Sequence, residues 1–231
     1  MAKSANSMLR GGRTARALLG WAAVLLTSAQ GALAADMALL RASSEPAQLR
    51  AAAASADVVR TAKWVIASGD NAGKPFVIVD KRSARVFGFA SDGGLRGTAP
   101  ALLGLARGDV NPPGIGDRPL SAIGPQDRIT AAGRFIAVLG NDLGKADILW
   151  VDYATGLSLH RVIRGKPSDQ RSRRLMSPSP DDNRISYGCI NVPANFFDQV
   201  IGPLFHATTG IVYVLPESKA LQDVFPLVAS K

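Results

Sequence analysis

Six short runs of β-branched and aromatic residues, each closed by glycine, proline or small polar residues, constrain this chain more than any other feature. They are "PFVIVD" (75–80), "RVFGFA" (85–90), "GRFIAVLG" (133–140), "DILWVDYA" (147–154), "LSLHRVI" (157–163) and "GIVYVL" (210–215). Runs of this length suit strands, because an amphipathic helix needs about ten or more residues of sustained period. The first two, separated by "KRSA" and followed by "SDGG", read as a hairpin. Within the same region only residues 193–201 look helical. The expected fold is a mostly β domain over residues 74–216 with a few short helices. Ahead of it, Ser44-Glu45-Pro46 resembles a helix start, and Val58, Ala62, Val65 and Ile66 recur at helical spacing up to Ser68-Gly69. Residues 35–73 therefore read as a helical lead-in and 217–231 as a C-terminal tail. No repeat of 20 to 50 residues is seen.

The N-terminus has the pattern of an export signal. Lys3, Arg10, Arg13 and Arg16 precede an apolar stretch from Ala17 to Leu26, and Ala32-Leu33-Ala34 offers a small-x-small cleavage site. The apolar stretch is about half of the ~20 residues that span a bilayer. Residues 1–34 are thus expected to be removed, leaving a soluble protein of the periplasm or cell envelope with no stable membrane span. Loss of those four basic residues lowers the formal net charge from +9 to +5. That modest excess favours an anionic partner only weakly. Nucleic acid is a poor candidate, because no basic repeat is interleaved with aromatics; an anionic wall polymer suits an exported chain better.

An exported protein with one cysteine poses a chemical question. Cys189 has no internal partner for a disulfide, and an oxidising compartment threatens an exposed thiol with mispairing or over-oxidation. The bland answer is a small buried hydrophobe. The other is a nucleophile, which works only as thiolate and needs a base, a cation or backbone donors to ionise near neutral pH. Gly188 leaves the thiol approachable, and backbone N–H groups around Gly188 and Cys189 are candidates for an oxyanion hole. The base must be His160 or His206, the only histidines. His160 ends a strand pattern and is the favoured choice. Between it and the cysteine lies "RGKPSDQRSRRLMSPSPDDNR" (164–184), a long polar stretch. It reads either as a solvated excursion or as a cationic lid that attracts carboxylates and favours a thiolate. Arg161 and Arg184, at its borders, are candidate substrate-binding residues. No Cys/His cluster has metal-ligand spacing, so neither metal nor cofactor is expected. "GIGDRP" (114–119) lacks the strand-then-helix context of a nucleotide loop and reads as a turn.

His160 followed by Ser186-Tyr187-Gly188-Cys189-Ile190-Asn191 resembles the signature of the L,D-transpeptidase (YkuD-like) family, a histidine and then S-x-G-C-[IV]-[RN]. The hairpin "FVIVDKRSARVFGF", the turn "TAAGRF" (130–135) and the strand "ILWVDYATGLSLH" resemble further family segments in the same order, over residues 74–216. The resemblance implies a β-sandwich-like catalytic domain acting on peptidoglycan stem peptides. Cys189 would be the nucleophile, His160 the base, and Ser186, Tyr187, Gly188 and Asn191 members of the active-site turn. The thiolate would attack the carbonyl of the third stem residue, expel D-alanine and leave a thioester. A second stem amine would give a 3-3 cross-link, a lipoprotein lysine would give anchoring, and water would give an L,D-carboxypeptidase outcome. A catalytically weak wall-binding module of the same fold is the rival reading. A papain-like enzyme, whose base follows the cysteine, is disfavoured because His206 lies only 17 positions after Cys189. Four departures from the family pattern are visible. Asn191 stands where many members have Arg, Tyr187 where many have His, and Ala131 in place of the turn's proline. The interval from His160 to Cys189 is 29 positions, longer than the family's usual spacing, with the excess in the arginine-rich stretch.

Overall fold

The computed structural model describes residues 48–141 and 147–225. The expected signal, the start of the lead-in and the end of the tail lie outside them. The first long element is α1 (Ala56–Ser68). Residues 48–51 are already helical, so the lead-in read as one helix up to Ser68 is broken at residues 52–55 before α1 begins. Ser55 is the N-cap, its hydroxyl accepting from the Val58 N–H at 3.3 Å, and left-handed Gly69 ends the helix.

Ten strands follow: β1 (Phe76–Asp80), β2 (Arg85–Phe89), β3 (Leu95–Pro100), β4 (Leu103–Gly104), β5 (Gly133–Asn141), β6 (Asp147–Asp152), β7 (Leu157–Arg161), β8 (Arg184–Ser186), β9 (Ile190–Val192) and β10 (Gly210–Val214). All six strand-like runs of the sequence appear among them. Eight form one sheet in the order β3-β2-β1-β10-β5-β6-β7-β9, and β4 pairs with β8 separately. Past β3, Leu102 exchanges backbone hydrogen bonds of 2.8 and 2.9 Å with Asn191 of β9, which brings the two edges of the sheet together. The fold is mostly β, as expected.

Period-2 alternation divides the core. Val77 and Val79 of β1, Val86 of β2 and Val212 and Val214 of β10 face inward, where they meet Phe196, Phe197, Ile201 and Phe205. Those four come from α3 (Ala194–Phe196), a π-helical turn (Phe197–Ile201) and α4 (Gly202–Phe205), which run on without interruption. Gly88 of β2 lets this helical segment approach: a Cβ there would lie 2.8 Å from a Val200 methyl. The alternate residues Phe76, Ile78, Phe87, Phe89, Ile211 and Tyr213 face outward and are covered by Val58, Ala62 and Val65 of α1. Burial on both faces explains why β1, β2 and β10 read as continuous apolar runs.

The packed body is wider than residues 74–216. Leu49 contributes to the outer core at one end, and at the other so do Leu221 of α5 (Leu221–Val224) and Phe225. The first residues of the expected tail are therefore structural.

Candidate active site

Strand register places the reactive groups. β7 and β9 are parallel neighbours with Leu159 opposite Ile190 and His160 opposite Asn191. One step back along both strands, the same register sets Ser158 beside Cys189. A parallel pair cannot be joined by a hairpin and needs a crossover, and residues 162–183 supply it. The long His160–Cys189 interval is that crossover, and its middle winds into the short helix α2 (Arg171–Leu175).

The cysteine sits on a turn locked from several sides. Ser186 is buried; its hydroxyl donates to the Cys189 carbonyl at 2.6 Å and accepts from the Gly188 N–H at 3.1 Å. Gly188 has φ +132°, and a Cβ there would lie 2.8 Å from the Ile129 carbonyl oxygen, so the position requires glycine. Its carbonyl accepts from the hydroxyl of fully buried Thr130 at 2.7 Å, while the same hydroxyl accepts from the Gly104 N–H at 2.9 Å. Thr130 belongs to the "TAAGRF" turn, which thus clamps the nucleophile's loop from behind.

The half-buried thiol of Cys189 accepts from the Ser158 hydroxyl at 3.4 Å. Burial pushes the thiol pKa up, but hydrogen bonds from His160 and Ser158 and the attraction of the imidazolium outweigh it, and the net direction is down. For His160 burial pushes the pKa down, while the hydrogen bond and attraction to Cys189 and the Arg161 carbonyl outweigh it, and the net direction is up. Opposite shifts in adjacent groups favour a thiolate–imidazolium pair. The His160 ring is oriented by Nδ1, 2.7 Å from the Arg161 carbonyl, and by Nε2, 3.3 Å from Asn191 Nδ2.

The remaining candidates divide sharply. Tyr187 is 39% exposed beside the thiol, with the Arg128 guanidinium 3.8 Å from its ring centroid. Arg161 lines the same cleft as His160, but its guanidinium is held by Asp198 at 2.5 and 2.8 Å and lies over Phe197 at 4.3 Å. Arg184 does not reach the cleft: it is buried behind the turn and donates to Glu217 at 2.5 and 3.1 Å and to the Lys81 carbonyl at 2.8 Å. His206 stands apart from Cys189, at the rim of a separate depression with Asp198 and Pro203. The residues of "GIGDRP" form a 3-10 turn, as expected. Among the described residues no cluster of three His, Cys, Asp or Glu is arranged to hold a metal ion, and no helix is long and apolar enough to cross a membrane.

Ser158 escaped the sequence reading but was detectable, since it lies two positions before His160 and so on the same strand face. Thr130 and Arg171 lie in segments the sequence singled out, but their individual roles depend on distant chain segments coming together.

Two clefts share Cys189 and Gly156 in their linings. One, of about 410 Å³, is lined by Ile148, Trp150, Ser158, His160, Arg161 and Cys189 among others. The other, of about 130 Å³, is lined by Cys189, Tyr187, Ile115 and Ile123 among others.

No family model matches the sequence, and no curated protein matches it. Among solved structures, the chain is similar to the crystal structure of the helical cell shape determining protein Pgp2 from Campylobacter jejuni, at 15% identity and a TM-score of 0.41 over 63% of this chain and 49% of that one. It is also similar to the NMR structure of the catalytic domain from the E. faecium L,D-transpeptidase, at 16% identity and a TM-score of 0.35 over 62% of this chain and 98% of that one. A third likeness is to the Ldtfm-avibactam carbamoyl enzyme, at 17% identity and a TM-score of 0.34 over 62% and 49% of the two chains. The chain thus spans about half the length of the Pgp2 chain it matches.

Proposed function

We propose that this protein is an exported cysteine acyltransferase of the bacterial cell envelope, an L,D-transpeptidase that uses peptidoglycan stem tetrapeptides as acyl donors. The observation that carries the reading is the register that sets Ser158 beside Cys189 and His160 beside Asn191 on adjacent strands, with the pKa values of thiol and imidazole displaced in opposite directions. The resemblance of the Ser186–Asn191 turn to the family signature supplies the substrate class.

In the proposed reaction the Cys189 proton passes to His160, and the thiolate attacks the carbonyl carbon of the third stem residue. The Gly188 N–H is engaged by Ser186, so the developing oxyanion falls to the Cys189 N–H. Collapse breaks the bond to D-alanine, whose amine takes the proton from the imidazolium, and a thioester remains on Cys189. An acceptor amine then attacks the thioester and gives its proton to His160, and the thiol is restored. The acyl chain and the acceptor must reach one sulfur from different directions, and two clefts bordering Cys189 support such a transfer. Water in place of the amine gives an L,D-carboxypeptidase, and a lipoprotein lysine gives protein anchoring. Every proton is carried by a group of the chain or of the substrate.

Incubation with purified disaccharide tetrapeptides, read by mass spectrometry, tests the proposal. Dimers that have lost one D-alanine indicate cross-linking, and tripeptides alone indicate hydrolysis. Unchanged material with wild type and Cys189→Ala alike would overturn the assignment of substrate.

A further inference from the structure

We infer that Arg171, delivered by the β7–β8 crossover, is a positioning residue that fixes the Asn191 amide and thereby, together with the Arg161 carbonyl, holds His160 in one ring tautomer. Arginine has only donors. Its Nη1 lies 3.1 Å from Asn191 Oδ1, so the amide oxygen faces the guanidinium and the amide NH₂ must face the other way. There Nδ2 lies 3.3 Å from the Cys189 carbonyl and 3.3 Å from His160 Nε2. In the neutral ring, an N–H donor directed at Nε2 requires that nitrogen to carry the lone pair. The ring proton then resides on Nδ1, where the Arg161 carbonyl accepts it at 2.7 Å. The lone pair that takes the thiol proton is therefore the one on Nε2, and its direction is set two hydrogen bonds away.

Arg171 is built for this task. Its side chain is 12% exposed, and Asp169 holds its Nε at 3.2 Å. Asn191 is itself 1% exposed, so its amide has no water to satisfy a reversed orientation. The consequence couples the crossover to chemistry: only when α2 is docked is the amide held. The groups facing the His160 ring are Cys189 from the turn before β9 and Arg171 from α2. Asp147 of β6 and Arg161 of β7 line the same cleft, the latter paired with Asp198. Arg171 is the nearby positive charge that opposes protonation of the ring. Its removal moves the alkaline limb of activity to higher pH, because the imidazolium then loses its proton later.

This inference rests on reading His160 as the base, and its test needs no substrate. The nitrogens of the two imidazoles are observed by ¹⁵N NMR in a Cys189→Ala background, where the His160 ring has no thiolate partner, with His206 as internal reference. With Arg171 present, His160 shows the single Nδ1-protonated tautomer. Arg171→Met gives a mixture of tautomers, and Arg171→Lys, which keeps a donor and a charge, restores the single form. In the enzyme with its cysteine, Arg171→Met lowers kcat by about tenfold or more with KM changed by no more than about twofold. If Arg171→Met unfolds the protein, Asp169→Asn, which loosens the guanidinium without touching the site, shifts the tautomers in the same direction. A folded Arg171→Met that keeps the single Nδ1-protonated tautomer overturns the inference. Intact tautomer behaviour with no turnover of stem peptides would instead reject the substrate while leaving the inference standing.

Discussion

Behind the Cys189 turn, the side chains of Lys81, Asp109, Glu217 and Arg184 are sealed from solvent and each charge faces an opposite one; in front of it, Cys189 and His160 line an open cleft with their pKa values displaced in opposite directions. The rear cluster is densely hydrogen-bonded. Lys81, 0% exposed, donates to Asp109 at 2.7 Å and to the carbonyls of Gly108 and Thr130 at 2.5 and 2.8 Å. Asp109 also accepts from the backbone N–H groups of Glu217, Ser218 and Lys219 at 2.7 to 2.8 Å. Burial pushes the Asp109 pKa up, but the Lys81 hydrogen bond and these donors outweigh it and hold its carboxyl below the usual range. The comparison shows how one fold buries charge for two ends. At the rear the charges are paired, with Arg184 Nε the one buried donor of the four side chains left without a partner, and the cluster anchors Thr130 and through it the Gly188 carbonyl. Beside the cleft, the thiol and imidazole pKa values are displaced in opposite directions.

Substitutions that break one side of this contrast should leave the other intact. The largest effect belongs to the front: Cys189→Ala abolishes turnover and covalent labelling, while its melting temperature stays near wild type, since a small half-buried side chain is lost. His160→Ala lowers the rate by about 10²- to 10⁴-fold. It also moves the onset of Cys189 alkylation by iodoacetamide to higher pH, because burial of the thiol is then no longer offset by the imidazolium. The sign follows from the thiolate being the reactive form: a lowered pKa starts the rise early, and loss of the cation delays it.

At the rear, Lys81→Ala leaves Asp109 buried without its cation. It should destabilise by about 3–5 kcal/mol, read from denaturant unfolding, with alkylation of whatever folded fraction remains still setting in below the ordinary thiol range. An early onset lost together with stability would mean that the two regions are one. Thr130→Val removes the link between them, with an expected cost of about 1–3 kcal/mol for the stranded Gly188 carbonyl and Gly104 N–H. The smallest change, Arg60→Ala, removes an exposed pair to Asp57 within α1 and should cost about 0.5 kcal/mol or less. It sets the scale for a surface charge.

How far each region was legible in the sequence follows from the range of the interactions. Short β-branched and aromatic runs announced β1, β2, β5, β6, β7 and β10, and those buried on both faces, β1, β2 and β10, showed as continuous apolar stretches. The tiny β4 and β8 were silent, since two or three residues carry no period. The lead-in read as one helix because the break at residues 52–55 carries no glycine or proline, whereas Ser55 caps a second segment, α1. In the front region Cys189, His160 and the Ser186–Asn191 turn stood out, since a lone cysteine is conspicuous in the sequence and a resemblance carried the rest. The rear cluster could not be read. Lys81, Asp109, Arg184 and Glu217 span more than a hundred residues, and each alone looks like an ordinary surface charge. Arg184 shows the cost of that blindness, since it was a candidate for substrate and lies in the scaffold.

The account stands on a covalent intermediate at Cys189. Wild-type protein mixed with disaccharide tetrapeptide, quenched in acid within the first turnovers and analysed by intact mass and peptide mapping, should carry the tripeptide acyl group, the donor minus D-alanine, on Cys189 alone, with free D-alanine released in equal amount. Consumption of the donor with no adduct at Cys189, or the same products from Cys189→Ala, would contradict it.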